Sequence, residues 1–223
     1  MQQESNENQI VTAPIVTRDH VAELAGVADE ALLSRYVQGD TGAFATLVAR
    51  YQRELYHFLA RFLGDRAVAE DIFQEAFLQV HESAGTFDPT RRFRPWLFTI
   101  AANKARDYLR SKNRHPTAPL DAPIVGNDAQ SYVDLLEAAS ELPSDPMARE
   151  ELRASVKRVI DEMPANLREV LLLGHFHEFS YKQIADMLHV PLGTVKSRLH
   201  AAVGHFARAW RRDRAPKRRA DVQ

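Results

Sequence analysis

Five of the chain's 11 prolines, Pro116, Pro119, Pro123, Pro143 and Pro146, fall between Ser111 and Met147. Proline lacks a backbone N–H and clashes with the preceding helical turn, so no long helix runs through this stretch. On either side, apolar residues recur at steps of three and four, the spacing of one helix face. No alternating strand pattern of useful length appears. The expected fold class is all-α: two small helical domains joined by a flexible Pro-rich linker, the second domain carrying a helix-turn-helix.

The charge follows the same division. The total is −1 over 223 residues, which by itself argues against a nucleic-acid partner. By block it is −5 for Met1 to Asp40, +2 for Thr41 to Arg110, −4 for Ser111 to Met147 and +6 for Ala148 to Gln223. Two basic helical units thus alternate with two acidic segments, an asymmetry that a total conceals. The absence of cysteine excludes a disulfide framework, thiolate zinc sites and cysteine nucleophiles. The polar, acidic Met1 to Gln9 lacks the features of a signal peptide. The longest mainly apolar stretch, Pro95 to Ala102, is far below the roughly 20 residues that span a bilayer. A cytoplasmic protein without direct membrane insertion is expected.

In the first unit the spacing predicts helices over Asp29 to Val37, Thr41 to Leu63, Arg66 to Glu82 and Arg94 to Arg110. Gly39-Asp40-Thr41 supplies a break and a cap, Gly64-Asp65 a stop, and Pro95 suits a first helical turn. The segment His20 to Leu33 has weak helical character. In the second unit helices are expected over Ala148 to Asp161 and Ala165 to Leu173. Ser180-Tyr181-Lys182-Gln183 is a capping-box pattern opening a short helix that ends near Leu188. His189 to Gly193 is read as a turn and Thr194 onward as helix. The linker piece Ala129 to Ser140 fits a short helix or a disordered spacer equally well.

Short helix, tight turn and second helix from Ser180 to Phe206 match a helix-turn-helix. Val195, Leu199 and Val203 are expected to pack on Ile184, Ala185 and Leu188. Thr194, Lys196, Ser197, Arg198 and His200 then face outward, where small and cationic side chains at a helix start approach phosphates and base edges. A structural hairpin with a solvated cationic face is the alternative. The arginines and lysines from Arg208 to Arg219 are either a solvated tail or extra phosphate contacts.

Taken in order, these strings resemble an extracytoplasmic-function (ECF) sigma factor, a bacterial RNA polymerase subunit. The resemblance rests on Gly39-Asp40 with Ala43-Phe44, Ala69 to Phe77, Phe93 to Asn103, Arg106 to Arg110, Met163-Pro164, Ser180 to Ala185 and Gly193 to Arg198. It implies a division into residues 1–28, an acidic disordered or weakly helical extension; 29–112, a sigma region 2-like domain; 113–147, the linker; 148–210, a region 4-like helix-turn-helix domain; and 211–223, a basic tail.

The resemblance assigns roles by position. Asp71, Gln74, Glu75 and Phe77 are implied as contacts to core polymerase. Phe87, Arg91, Arg92, Asn103, Lys104, Asp107 and Arg110 are implied at the −10 element. There single-stranded bases need stacking surfaces and a cationic track. Ser180, Tyr181, Thr194, Lys196, Ser197, Arg198 and His200 are implied at the −35 duplex. The implied partners are core polymerase, through its clamp coiled coil and flap regions, promoter DNA and an anti-sigma factor. No cofactor or metal is implied. Trp96 is read as core, and Phe87 stays open between core and base stacking. His81 stands where this family often has tryptophan, and Lys182 where an acidic residue is common.

Two other classes compete for the same residues. A helix-turn-helix regulator with a sensing or dimerising N-terminal domain accounts for the second unit but not for the strings of the first. An enzyme is not expected: Glu70, Asp71 and Glu75 lack a histidine or nucleophile at a useful spacing. His175-x-His177 as a metal pair is weaker than a packing role.

Overall fold

The structure is a computed structural model and describes residues 23–112 and 145–214. The expectation for Ala129 to Ser140, the N-terminal extension before residue 23 and the basic tail beyond Arg214 lie outside the described residues. Among the described residues there are eight α-helices and no strand. They are α1 (Asp29–Val37), α2 (Thr41–Leu63), α3 (Arg66–Ser83), α4 (Phe93–Lys112), α5 (Pro146–Asp161), α6 (Ala165–Leu171), α7 (Tyr181–Leu188) and α8 (Leu192–Arg214).

Helices α1 to α4 form the first domain. The α2 stripe buries Leu47, Leu55, Phe58, Leu59 and Phe62 completely or nearly so. Each such side chain contributes roughly 1.5–3 kcal/mol when taken out of water. Opposite them lie Ala69, Ile72, Ala76 and Val80 of α3 and Leu97, Phe98, Ala101 and Ala105 of α4. Local chemistry sets the ends. The Asp40 carboxylate accepts the Ala43 N–H at 3.2 Å and caps α2. Gly64, at φ 73°, closes α2 in the left-handed region that glycine enters without penalty. Asp65 then accepts the Ala67 and Val68 N–H groups to open α3. The weak helix expected over His20 to Leu33 is broken within its described part. A turn with Val27 N–H donating to the Leu24 carbonyl precedes α1, and Arg50 ties the turn down by donating to the carbonyls of Ala25 and Val27.

Helices α5 to α8 form the second domain. Asp145 caps α5 and Pro146 occupies its first turn. The long α8 buries Val195, Ala202, Val203 and Phe206, and Phe206 stacks on Trp210 with ring centres 5.7 Å apart. Helix α6 does not continue regularly to Leu173 as expected. It widens into a single π turn over Leu172–Phe176, in which the His177 N–H reaches the Leu172 carbonyl. Such a turn inserts one extra residue and re-aims the chain beyond it. Helix α8 starts at Leu192, two residues earlier than expected, because the Pro191 carbonyl already accepts the Thr194 and Val195 N–H groups.

The two domains meet along a seam in which α7 packs on α4 and the π turn on α2. Phe98 of α4 meets Phe179 edge-on at 4.9 Å, and Phe58 meets His177 edge-on at 5.6 Å. Polar contacts cross the seam as well. The Arg94 guanidinium lies 4.1 Å over the Phe179 ring and donates to the His177 carbonyl at 2.7 Å and to Glu54. Arg168 donates to the Phe62 carbonyl at 3.1 Å, and Arg106 to the Leu188 carbonyl at 3.4 Å.

Candidate core-docking and nucleic-acid interfaces

The α3 face opposite its buried stripe carries Asp71, Gln74 and Glu75, all exposed. One turn on, Leu78 is 56% exposed. An acidic and amide surface with an apolar residue beside it suits a basic, partly apolar helical partner. Phe77 does not belong to this face. It is 6% exposed and packs on Phe73 at 5.0 Å and Phe44 at 6.1 Å. Its phase places it one residue after Ala76 and four after Phe73, inside the apolar stripe. Its role is corrected to core packing. His81 lies in the same aromatic group. Its Nδ1 is hydrogen-bonded to the Tyr36 hydroxyl and its ring stands edge-on to Phe44.

Around the loop before α4, Arg91 and Arg92 are exposed. Phe87 is half-buried against Trp96, with ring centres 4.7 Å apart, and Trp96 in turn packs on Phe93. Asp88 accepts both the backbone N–H and the hydroxyl of Thr90, which orders the loop and holds the Asp88 carboxyl below its ordinary range. Along α4, Asp107 and Arg110 are exposed and paired with each other at 2.8 Å. Lys104 is half-buried, 3.5 Å from Glu75 on the candidate docking face. The two faces are therefore adjacent, an arrangement the sequence did not reveal.

Asn103 is half-buried, and its side-chain carbonyl accepts a hydrogen bond from Arg106. Arg106 escaped the sequence reading as a candidate, since nothing in one helix's spacing shows what crosses to it from another domain. Its Nε lies 3.4 Å from Oε1 of Glu169, a residue buried on α6. Burial raises the Glu169 carboxyl to about 7 despite the opposing charges of Arg106, Arg198 and Arg110. Arg198 of the candidate −35 set and Arg110 of the candidate −10 set thus act on the same buried carboxyl.

The helix-turn-helix is formed by α7, the turn at His189 and α8. Ser180 and Gln183 make a complete capping box, with bonds of 3.3 and 2.9 Å. The Ser180 hydroxyl is committed to this cap. His189 takes φ 53°, in the left-handed region, to end α7 within one residue. Tyr181, Lys182, Lys196 and Ser197 are exposed; Thr194, Arg198 and His200 are half-buried. The first turn of α8 is open on one side, as a groove-entering helix requires.

Glu54 and His177 were not singled out together by the sequence, and they form the second polar centre of the seam. His177 Nδ1 is 3.2 Å from Glu54 Oε1, which also accepts from Arg94. Burial alone raises the Glu54 carboxyl, but the His177 and Arg94 hydrogen bonds and the arginine's charge outweigh it and hold the group down at about 2. His177 is therefore a packing and hydrogen-bonding residue of the seam. Among the described residues no group of three or more His, Cys, Asp or Glu could hold a metal, and no helix is long and apolar enough to cross a membrane.

Two family models match the chain: Sigma-70 region 2 over residues 47–115 and Sigma-70, region 4 over residues 153–206. The RNA polymerase sigma-H factor of Pseudomonas aeruginosa is 35% identical over 175 residues, covering 78% of this chain and 89% of the relative. The ECF RNA polymerase sigma factor SigW of Bacillus subtilis is 36% identical, covering 73% and 86%. The ECF RNA polymerase sigma-E factor of Escherichia coli is 34% identical, covering 79% and 91%. A solved structure of CnrH in complex with the cytosolic domain of CnrY aligns with TM-score 0.57 and 26% identity, over 81% of this chain and 95% of that one. The sigma factor RpoE of Bartonella quintana, solved with the anti-sigma factor NepR, aligns with TM-score 0.55 at 19% identity, over 77% of this chain and 98% of that one, and shares the fold. With both domains matched in order and most of each relative covered, the chain belongs to the ECF RNA polymerase sigma factors.

Proposed function

We propose that this chain docks on core RNA polymerase through the α3 face of Asp71, Gln74 and Glu75 and directs initiation at its own promoters. It is a sigma factor, a dissociable specificity subunit. The α4 surface and its preceding loop open and read the −10 element, with Arg91, Arg92, Lys104 and Arg110 as the cationic track and Asn103 as a base reader. The α8 start, with Lys196, Ser197 and Arg198, reads the −35 duplex in the major groove. Phe87 serves stacking only on its exposed edge, since its other face is taken by Trp96. The observation that carries this reading is the exposure of an acidic docking face and a cationic helix start on two domains joined by a long tether.

The mechanism needs no bond chemistry from the chain. Docking makes the DNA-reading surfaces part of the polymerase, and phosphate contacts set register while base contacts specify. The work takes place in the cytoplasm, where polymerase and promoter DNA are. An anti-sigma factor is the expected regulator; the Bartonella quintana sigma factor RpoE was solved with one, NepR. Run-off transcription with reconstituted holoenzyme tests the reading. A promoter-specific transcript that requires this chain is expected, and it is lost when Gln74 and Glu75 are both replaced by alanine. Absence of core binding together with absence of any chain-dependent transcript would overturn it.

A further inference from the structure

We propose that the outward face of α2, together with Phe176 of the π turn, is a further nucleic-acid surface, one that binds a single strand without regard to its sequence. It uses none of the residues assigned to core docking, to the −10 element or to the −35 duplex.

Helix α2 buries one stripe, and the opposite stripe is cationic. In its 23 residues the only acidic side chain is Glu54, set against Arg50, Arg53, Arg61 and His57. Arg53, His57 and Arg61 follow one another at steps of four and are all exposed. They therefore line one face of the helix over about 12 Å. The nearby acids are already committed: Asp29 pairs with Arg50, and Glu54 with Arg94 and His177. Among the described residues neither Arg53 nor Arg61 is in an ion pair, and nor is Glu178 beside the π turn.

Two observations set this strip apart from an ordinary solvated face. The Arg61 guanidinium is drawn against protein with no anion to match it. It lies 4.8 Å over the Phe176 ring, and partial burial lowers it from the ordinary arginine range. The helix dipole accounts for a cation at Arg61, in the last turn, but not for Arg53 in the middle. The second observation is His57. Burial, then the charges of Arg61, Arg53 and His177, hold its imidazole below the ordinary range. The three side chains thus feel one another, with no acid placed between them. Like charges on one helix face are unfavourable, and an anionic partner relieves them.

The aromatic neighbours select the kind of anion. Phe176 is exposed, with Arg61 over its ring and His175 edge-on at 5.2 Å. Tyr56 is half-buried and stands edge-on to His57 at 6.1 Å. Cations interleaved with partly open rings suit a single strand: the arginines follow its phosphates and the rings take up its unstacked bases. Duplex DNA keeps its base faces stacked, and an acidic peptide supplies carboxylates with nothing to stack.

The test is fluorescence anisotropy of labelled oligo(dT) and oligo(rU), neither of which carries a promoter element, titrated with the full chain between about 50 and 200 mM salt. Wild type is expected to bind at least one of them, and the stronger of the two tells DNA from RNA. R53Q/R61Q should bind more weakly, with a salt slope smaller by about 1.4, two phosphate contacts at about 0.7 each. Over that fourfold salt range the variant then loses about sevenfold less affinity than wild type does. R53K/R61K keeps both charges and should restore the slope. Phe176→Leu keeps the apolar bulk and should weaken binding at every salt with the slope unchanged, the mark of a lost stacking contact. Thermal melts show that the variants fold; R53Q alone, at an exposed mid-helix position, gives half the slope change. No binding of either oligonucleotide by wild type at low salt overturns the proposal. So do equal slopes for wild type and folded R53Q/R61Q, or polyglutamate that competes as well as an oligonucleotide of equal charge. None of these outcomes bears on run-off transcription, whose failure would overturn the functional reading and leave this surface standing.

Discussion

At the scale of single residues, two glutamates in one seam carry opposite pH signatures. Glu54, held at about 2, stays ionised in the folded state between about pH 2 and 4.5, where an unfolded glutamate takes up its proton. Its contribution is present above about pH 4.5 and is lost as pH falls toward 2. Glu169, raised to about 7, keeps its proton in the folded state over a window in which the unfolded chain has released it. Stability from this group is therefore lost as pH rises from about 4.5 through 7. Replacing Glu169 by Gln should flatten that loss, leaving the variant more stable than wild type at pH 8 and little changed at pH 5, read by urea denaturation at both values. Phe77 gives a second contrast. Phe77→Ala should cost about 3–5 kcal/mol of folding stability. Gln74→Ala, exposed on the same helix, should stay within about 0.5 kcal/mol while weakening core binding. If Phe77→Ala were stable and selectively defective in docking, its assignment to the core would be wrong.

At the scale of elements, the helices were largely legible in sequence because caps and periodicity agree. Thr41–Leu63 has Asp40 before it, Gly64 after it and one apolar stripe between. The π turn was not legible. Leu171 to Leu173 continue the apolar run, and an atom added at Gly174 would meet Ile184 at an ordinary 3.5 Å, so neither pattern nor packing marks the site. The exposure of Asp71, Gln74 and Glu75 was legible from helical phase, while their docking role is implied by resemblance alone. Phe77 was misplaced because position in a family motif outweighed its own helical phase. Arg106, Glu54 and Glu169 were invisible because the partners that matter, Arg106 with Glu169 and Glu54 with His177, lie in different domains. The recognition element yields two predictions. Ser180→Ala removes half of the capping box and should cost about 1 kcal/mol, read as a lowered melting temperature. Arg198→Ala should weaken promoter binding by about 1–3 kcal/mol if it contacts a base, with little change on random duplex. Equal loss on both would mark it as a phosphate contact.

At the scale of the whole molecule, the near-zero charge is a sum over parts with different tasks. The basic blocks carry the two DNA-facing domains, and an acidic block of −4 links them. Tether length should matter more than tether sequence. Shortening residues 113–144 to about 10 residues limits the reach to about 35 Å. Run-off transcription should then fail, while binding of core polymerase and of −35 duplex persist when each is measured alone. Undiminished transcription from the shortened chain would mean that the two elements are read by other routes.

Arg106 belongs to α4 of the first domain, yet it is held by the Leu188 carbonyl and beside Glu169, both of the second. The same guanidinium holds the Asn103 side chain on its own helix. A substitution there is therefore felt in two places at once, unhooking the seam and releasing Asn103. Two traits hang on one side chain, and neither can drift without the other.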